Sequence, residues 1–404
     1  MTVLRRGVAA AAATLALVVP AAEAAPAPDP AGEAAILVDG RNGDVLFQEG
    51  ADERHAIASA TKLMTALLTL ERAGLDDVFP AAPYAASPVE SKINLRRGER
   101  MTVDDLLVAL LLESANDAAA TLATNVAGSR PAFVEEMNRR ADELGLGNTS
   151  YANPIGFDDP ANYSSARDLA TLARRLMQNE RFAEIVDLPE ATLESGARPR
   201  TIDTRNTLVK RVPMVDGIKT GHTASAGYVL VGSAQRGGAR VISVLLGATS
   251  ESARDAESLE LLRYGLGLFM RVRALRRGAQ LASVDVEHRD EDAELTTPRT
   301  VALTIRRGER VERRVDAPEE LEGPLPAGRR VGTVEVVYRG RVVRRAPLVT
   351  AKAVPEASTA RKVWSLLDTV AIAIALLLAG TAVLLTGLRV RANRLRSARR
   401  ASRR

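Results

Sequence analysis

The sequence contains no cysteine. Disulfides, thiolate nucleophiles and cysteine metal sites are therefore excluded at once. It has three histidines, His55, His222 and His288, too few for a histidine metal centre, and neither a metal nor a cofactor is expected. Lysine is almost as scarce. Of 55 basic residues six are lysine: Lys62, Lys92, Lys210, Lys219, Lys352 and Lys362. A strongly basic folded body is absent too. The net charge is +5, but the sixteen residues Arg389 to Arg404 carry eight arginines and no acid, and residues 1–24 contribute +1. Residues 25–388 are thus mildly acidic, at −4. The basicity belongs to the tail, and no nucleic-acid partner is expected.

What is present is ordinary for a globular protein: 46% apolar and 26% charged residues. At 404 residues the chain is long enough for two domains plus terminal segments.

Both ends read as membrane-directed. Arg5 and Arg6, the apolar run Val8 to Val19 and Ala22-Glu23-Ala24 match the charged, apolar and A-x-A regions of a secretory signal over residues 1–24. The apolar run is well short of the roughly 20 residues a span needs, so cleavage after Ala24 is expected. Near the other end, Thr369 to Leu388 is a run of twenty uncharged residues, preceded by Trp364 and followed by the arginine tail. That pattern is expected to span a membrane within residues 363–388, with tail 389–404 in the cytoplasm and everything before Trp364 outside. Asp368 is expected at the outer interface.

Between the ends, a Pro/Ala linker covers 25–33. Ala34–Val38 and Val45–Phe47, around the turn Asp39 to Asp44, read as a β-hairpin. Ser59 to Leu70 is apolar on nearly all faces, the pattern of a buried central helix. Helical patterns follow over Val103–Leu122, Pro131–Leu144 and Ala166–Met177, strands over Tyr228–Val231 and Val241–Leu246, and a helix over Ala253–Met270. Hairpin, helices and strands in that order imply a mixed sheet covered by helices over 34–276. From 277 to 352 the chain alternates in short runs, Val284/Val286, Val301/Leu303/Ile305 and Val334/Val336/Tyr338. Turns at Arg307-Gly308 and Arg339-Gly340 separate them, which reads as a small all-β domain. A linker, 353–362, leads to the span.

Three short motifs carry chemistry. Ser59-Ala60-Thr61-Lys62 opens the central helix, and its i, i+3 spacing sets a hydroxyl and an amine on one face. The lysine can activate the serine only as a neutral amine, so its usual value near ~10.4 must be depressed. The Ser59 backbone N–H at the helix start is available to an oxyanion. Ser114-Ala115-Asn116 lies in or ends the apolar Leu106–Leu112 helix, offering a proton-relaying hydroxyl and an amide for a substrate amide. Lys219-Thr220-Gly221, followed by His222-Thr223, precedes the Tyr228 strand. A cation and a hydroxyl on an edge strand suit a carboxylate, and the glycine permits close backbone approach. Lysine usage adds weight, because a chain that writes nearly every cation as arginine keeps lysine at both motif positions. Arginine cannot lose its proton and could not act as a base at position 62.

In order and spacing the trio resembles the penicillin-recognising serine enzymes, and the wider motifs narrow this to the D-alanyl-D-alanine carboxypeptidases. Ala58-Ser59-Ala60-Thr61-Lys62-Leu63-Met64-Thr65-Ala66, Ser114-Ala115-Asn116-Asp117-Ala118, Tyr163 to Ala170, and Asp216-Gly217-Ile218-Lys219-Thr220-Gly221-His222-Thr223 are similar to that family's runs. Pro326 to Gly332 resembles its C-terminal domain. The resemblance implies an α+β catalytic domain with an antiparallel sheet covered by helices, then a small all-β domain. It implies an acylated nucleophile at Ser59 with Lys62 as base and Ser114 and Asn116 as second-motif helpers. Lys219 and Thr220 would hold a terminal D-alanine carboxylate, beside Gly221. The N–H groups of Ser59 and His222 would form the oxyanion hole. Its partners would be peptidoglycan stem peptides and β-lactam antibiotics. The full span and basic tail depart from the amphipathic surface helix that ends many relatives.

Other residues have plainer readings. His55 is expected as an exposed loop histidine, since Lys62 already supplies a base, and His288 as surface. Arg167 and Asp168 read as helix-surface charges, and Tyr163 fits a cleft wall or simple packing. Three other functions share these motifs. A β-lactamase of class A would need a deacylating glutamate, and no E-x-x-x-N lies between Asn116 and Lys219. A catalytically silent penicillin-binding module would have a broken motif, and none is broken. A DD-endopeptidase would use the same acyl chemistry.

Overall fold

The computed structural model describes residues 11–17, 26–360, 363 and 373–390. The chain divides into two compact units. One is Ala21–Arg271 with Thr304–Gly308; the other is Met1–Pro20, Val272–Leu303 and Glu309–Arg404.

The first unit is built on five strands: β1 (Ala34–Asp39), β2 (Val45–Glu49), β3 (Val215–Thr223), β4 (Gly227–Arg236) and β5 (Ala239–Ala248). They lie in the order β3-β4-β5-β1-β2, and every pair is antiparallel. This corrects the mixed sheet expected from element order alone. Each neighbouring pair here is consecutive in sequence or closed by a return of the chain, so no parallel crossover is needed.

β1 is buried along its whole length because it is covered on both faces. Ala34, Ile36 and Val38 join a helical core that includes Leu169 and Leu172 of α5 (Ala166–Leu176). Leu37, on the opposite face, packs with Leu262 and Leu266 of the helix Glu251–Gly267. At the centre of the helical layer is α1 (Lys62–Arg72), buried from Lys62 to Thr69. It is packed by α3 (Asn116–Ala127), α4 (Arg130–Glu143) and α5. A helix with no solvent face needs no polar stripe, which is the pattern its sequence carries.

Two helix expectations are corrected. The Ser59–Leu70 helix begins with a 3-10 turn, Ala58–Thr61, and becomes α-helical only at Lys62. The single helix expected over Val103–Leu122 is broken. α2 (Val103–Val108) widens into a π-helical turn, Ala109–Glu113, Ser114 turns left-handed at φ 62, and α3 restarts at Asn116. The apolar run is continuous because both pieces are buried, so hydrophobicity gives no sign of the break.

A loop, residues 81–99, leaves a two-stranded ribbon formed by Val78–Pro80 and Arg100–Thr102 and folds back on that break. The Ile93 and Leu95 amides donate to the buried Asp117 carboxylate at 3.2 and 2.9 Å. In return the Asn116 amide donates to the Ser91 carbonyl at 2.8 Å. Asp168 is not a surface charge either. It is buried and accepts from the Asn148 amide and the Thr149 hydroxyl, each at 2.8 Å.

The second unit carries β6 (Gln280–Val286), β7 (Ala293–Thr296), β8 (Val311–Ala317), β9 (Glu320–Leu321), β10 (Arg330–Tyr338) and β11 (Arg341–Thr350). They form one sheet in the order β8-β10-β11-β7-β6-β9. Its buried positions include Val284, Val286, Leu295, Val315, Val334, Val336 and Leu348, and the alternation seen in sequence is that of one packed face. His288 follows β6 in a turn at φ 58 and lies beside Glu287. The run expected to be the apolar core of an export signal lies in part along this sheet. Ala11–Leu17 is a strand antiparallel to β8, from Ala11 opposite Ala317 to Leu17 opposite Val311. An edge strand offers unpaired backbone groups that an apolar segment can take up.

Ala373–Val390 is a helix with mean hydropathy 2.0 and no buried residue. Among the described residues it is the one helix long and apolar enough to cross a membrane. Arg5 and Arg6, Ala22-Glu23-Ala24, Trp364, Asp368, Thr369–Ile372 and the tail from residue 391 lie outside the described residues.

Asp117 ties the 81–99 loop to the start of α3, so Asp117→Ala should release it. Trypsin should then cut at the exposed Arg96 or Arg97 at least about tenfold faster than in the unaltered protein, since losing buried bonds to a charged acceptor costs about 1.5–3 kcal/mol. Unchanged cleavage would mean that Asp117 does not hold the loop.

Candidate active site

Ser59 is the open residue of its turn: Ala58, Ala60 and Thr61 are buried while Ser59 is only partly so. One turn further on, the Lys62 amine reaches back to the Ser59 hydroxyl at 2.9 Å. Its second partner is the Ile155 carbonyl, at 2.6 Å. That carbonyl is held in place by Asn153, whose side-chain oxygen accepts from the amides of Ile155, Gly156 and Phe157 at 3.2, 2.7 and 3.1 Å. Gly156 completes this turn at φ +99, and a Cβ there would lie 2.0 Å from the Ala58 carbonyl. Only glycine fits where this loop crosses the Ser59 turn.

Lys62 is completely buried and its pKa lies well below the ordinary lysine value. Burial is the main cause, since a dry site disfavours the ammonium. The charge of Lys219 pushes in the same direction, and Glu90 opposes them. The result is an amine that can be neutral while bonded to a serine hydroxyl.

Lys219 and Thr220 stand on β3, which packs on the Ser59 turn. Gly221 is the point of closest approach: a Cβ there would sit 3.0 Å from the Ser59 amide nitrogen. The Lys219 amine donates to the Thr220 carbonyl at 2.9 Å. Burial lowers its pKa to about 7, helped by the charges of Arg205 and Arg254 and opposed by Glu113. Arg205 pairs with Glu113, and Arg254 with Asp255 at 2.7 Å and Glu251 at 3.0 Å. Two arginines, each paired with an acid, thus act on the Lys219 amine. His222 follows on the strand, with its ring exposed and 4.1 Å from that of Tyr228 between centroids.

Ser114 is buried, at the end of the π-helical turn that packs against α1 and β3. A left-handed serine is uncommon and costs free energy, so the fold is holding it in that conformation. Asn116 donates from its side-chain amide to Glu90 at 2.9 Å.

All eight expected residues therefore fall on three segments: the Ser59 turn with the start of α1, β3, which packs on that turn, and the Ser114–Asn116 break, preceded by a π-helical turn that packs against α1 and β3. His55 does not join them. It is half-buried rather than exposed, pairs with Ser164 along the backbone and lies 3.0 Å from Glu33. Arg167 pairs with Asp52, and Tyr163 packs under the Arg54 guanidinium. Sequence reasoning missed Ile155, Arg205, Arg254 and Glu90. Asn153-Pro154 and Gly156 did signal a turn, but nothing in sequence tells which carbonyl faces an amine ninety-three residues away.

Residues 21–250 match the D-alanyl-D-alanine carboxypeptidase family model, and residues 269–356 match the model for the C-terminal domain of penicillin-binding protein 5. The D-alanyl-D-alanine carboxypeptidase DacF of Bacillus subtilis is 33% identical over 326 residues, 78% of this chain and 84% of the relative. DacA of Escherichia coli is 34% identical over 339 residues, 80% of this chain and 84% of the relative. Among solved structures, penicillin binding protein 5 from Haemophilus influenzae superposes with a TM-score of 0.58 at 31% identity, covering 82% of this chain and all of that one. Fold and motifs together define a serine peptidase. The chain belongs to the D-alanyl-D-alanine carboxypeptidase family.

The two buried amines should be visible in solution. In nitrogen NMR of lysine-labelled protein, the Lys219 signal should titrate near 7. Arg205→Gln removes a cation whose field disfavours the ammonium, so it should move that midpoint upward. A Lys219 that titrates like a free lysine would contradict the buried electrostatics described here.

Proposed function

We propose that the chain performs its family's reaction, release of the terminal D-alanine from peptidoglycan stem peptides, through an acyl-enzyme on Ser59. The observation that carries this reading is the 2.9 Å contact between the Ser59 hydroxyl and a fully buried Lys62 amine of depressed proton affinity.

In this reading Lys219 and Thr220 hold the D-alanine carboxylate and Asn116 holds a substrate amide. As the Ser59 oxygen bonds to the carbonyl carbon of the penultimate D-alanine, its proton passes to Lys62. The oxyanion formed accepts hydrogen bonds from the N–H groups of Ser59 and His222, donors that need no reorganisation. The C–N bond then breaks, and the leaving amine takes a proton relayed through Ser114. Water hydrolyses the ester, returning the proton to Ser59 and leaving the shortened peptide. A β-lactam enters the same sequence at its ring carbonyl and remains on Ser59 as a covalent adduct.

A fluorescent penicillin should label the wild-type protein, and Ser59→Ala should abolish labelling while leaving the melting temperature unchanged. Lys62→Arg keeps the charge but has no neutral form, so acylation should fall by about a hundred- to ten-thousandfold. Labelling that survives Ser59→Ala, or near-normal turnover in Lys62→Arg, would remove this mechanism.

The ends of the chain support a location at the membrane. Export would be directed by residues 1–24, with cleavage after Ala24. Ala373–Val390 supports a span within 363–388, with the catalytic unit outside and the arginine tail in the cytoplasm. Burial of a whole apolar helix is effectively irreversible, unlike surface adsorption. Truncation after Ala360 should therefore yield a soluble protein with unchanged activity on small peptides, whereas the full chain should resist alkaline carbonate. A carbonate-extractable full chain would show that this helix does not span.

A further inference from the structure

The 81–99 loop does more than cover the break between α2 and α3. It inserts one carboxylate, Glu90, beside the second motif. Glu90 has four neighbours of defined chemistry. It accepts from the Asn116 side-chain amide at 2.9 Å and from the Ser87 backbone amide at 2.8 Å. It also accepts from the Tyr84 hydroxyl, and Lys92 contributes a favourable charge. Burial acts to raise its pKa, but the bonds from Tyr84, Asn116 and Ser87 and the charge of Lys92 outweigh it and hold the carboxyl below its ordinary range. The carboxylate form of Glu90 is therefore the favoured one.

An ionised carboxylate only accepts hydrogen bonds. A side-chain amide presents an oxygen at one end and a nitrogen at the other, and turning it over exchanges them. With Glu90 charged, only the orientation that brings Nδ2 to the loop is bonded; the other sets oxygen against oxygen. The same carboxylate is the negative charge acting on Lys62, where it opposes Lys219. Glu90 thus bonds the amide proposed to hold substrate, and its charge favours the ammonium form of the amine proposed to move the proton.

We propose that Glu90 is a positioning residue for acylation: its carboxylate locks the Asn116 side-chain amide in one of its two orientations. The proposal rests on the acyl-enzyme reading above. Glu90 touches no reacting atom; it acts through Asn116.

The charge has a signed consequence. Glu90 favours the ammonium form of Lys62, so removing it favours the neutral amine. The acid limb of the acylation rate, where Lys62 becomes protonated, must then move to lower pH. The groups acting on Lys62 are Lys219 from β3, Glu90 from the loop, the Ser59 hydroxyl and the Ile155 carbonyl. Glu90 is the acid among them.

The test is the rate of fluorescent penicillin acylation against pH for the full chain and for Glu90→Gln and Glu90→Ala. Glu90→Ala should slow acylation about tenfold or more, the scale of a lost hydrogen bond to a charged group. Glu90→Gln keeps the shape and an acceptor oxygen but can also offer its own nitrogen, so it should recover only part of the rate. In both variants the acid limb should move down. A role confined to packing of the loop would not move that limb, and the isosteric Gln variant reads it even if Glu90→Ala melts early. An unmoved acid limb in Glu90→Gln, or wild-type acylation by Glu90→Ala, overturns the proposal. Wild-type protein that takes no penicillin at Ser59 would instead strike the acyl-enzyme reading, so the two failures are told apart.

Discussion

The burial of one amine governs the architecture of the catalytic unit. A lysine can take a proton from serine only when it is uncharged, and only removal from water makes that state accessible near neutral pH. In the proposed mechanism Lys62 therefore needs walls on every side, and the central position of α1 provides them. Helices α3, α4 and α5 enclose its flanks, β3 closes the side that carries Ser59, and the 153–157 turn seals the mouth while offering the Ile155 carbonyl. The other special features follow from fitting these pieces together without admitting solvent: Gly221 and Gly156 allow backbone to meet backbone where any Cβ would intrude.

The second constraint is that the site must remain polar inside a dry wall. The broken helix answers it. A continuous α-helix over Val103–Leu122 would bury its backbone groups in its own ladder and turn Ser114 into an ordinary packed side chain. Widening the chain at Ala109–Glu113 and reversing φ at Ser114 aims the polar motif inward, and the groups freed by the break find separate partners: the Asn116 backbone amide donates to the Ser91 carbonyl of the 81–99 loop, and the Leu112 carbonyl accepts from the Arg205 amide. The energetic cost of a buried polar group is met by direct partners for Asn116 and Asp117.

Much of this was legible in the sequence because period and composition report burial. Ala34–Val38 is apolar at every position since both faces are covered, and β6 and β10 alternate since one is. The motif residues were legible because lysine is otherwise avoided. What stayed hidden depends on direction. Apolar residues on both sides of Ser114 look alike whether the helix runs on or breaks. Nothing local distinguishes the buried, loop-anchoring Asp117 and Asp168 from surface acids, because their partners are backbone amides that every residue has and, for Asp168, a threonine hydroxyl nineteen residues away. Glu90 lies in a stretch of Pro, Ala and Ser that reads as a plain loop, and its meaning comes from Asn116, which the fold brings to it.

The convergence of Arg205 and Arg254 on Lys219 has one more consequence, in the coupling of ligand binding to protons. With its pKa near 7, Lys219 is only partly charged in the free protein at neutral pH. A bound carboxylate stabilises the ammonium, so each binding event in that range draws a fraction of a proton from the buffer. Measured binding heats should accordingly depend on the ionisation enthalpy of the buffer used, and the apparent affinity for carboxylate ligands should weaken by up to about tenfold for each unit of alkalinity beyond that point. On the proposed role of Lys219, the acidity of the medium becomes, through one side chain, a determinant of how firmly a carboxylate is gripped.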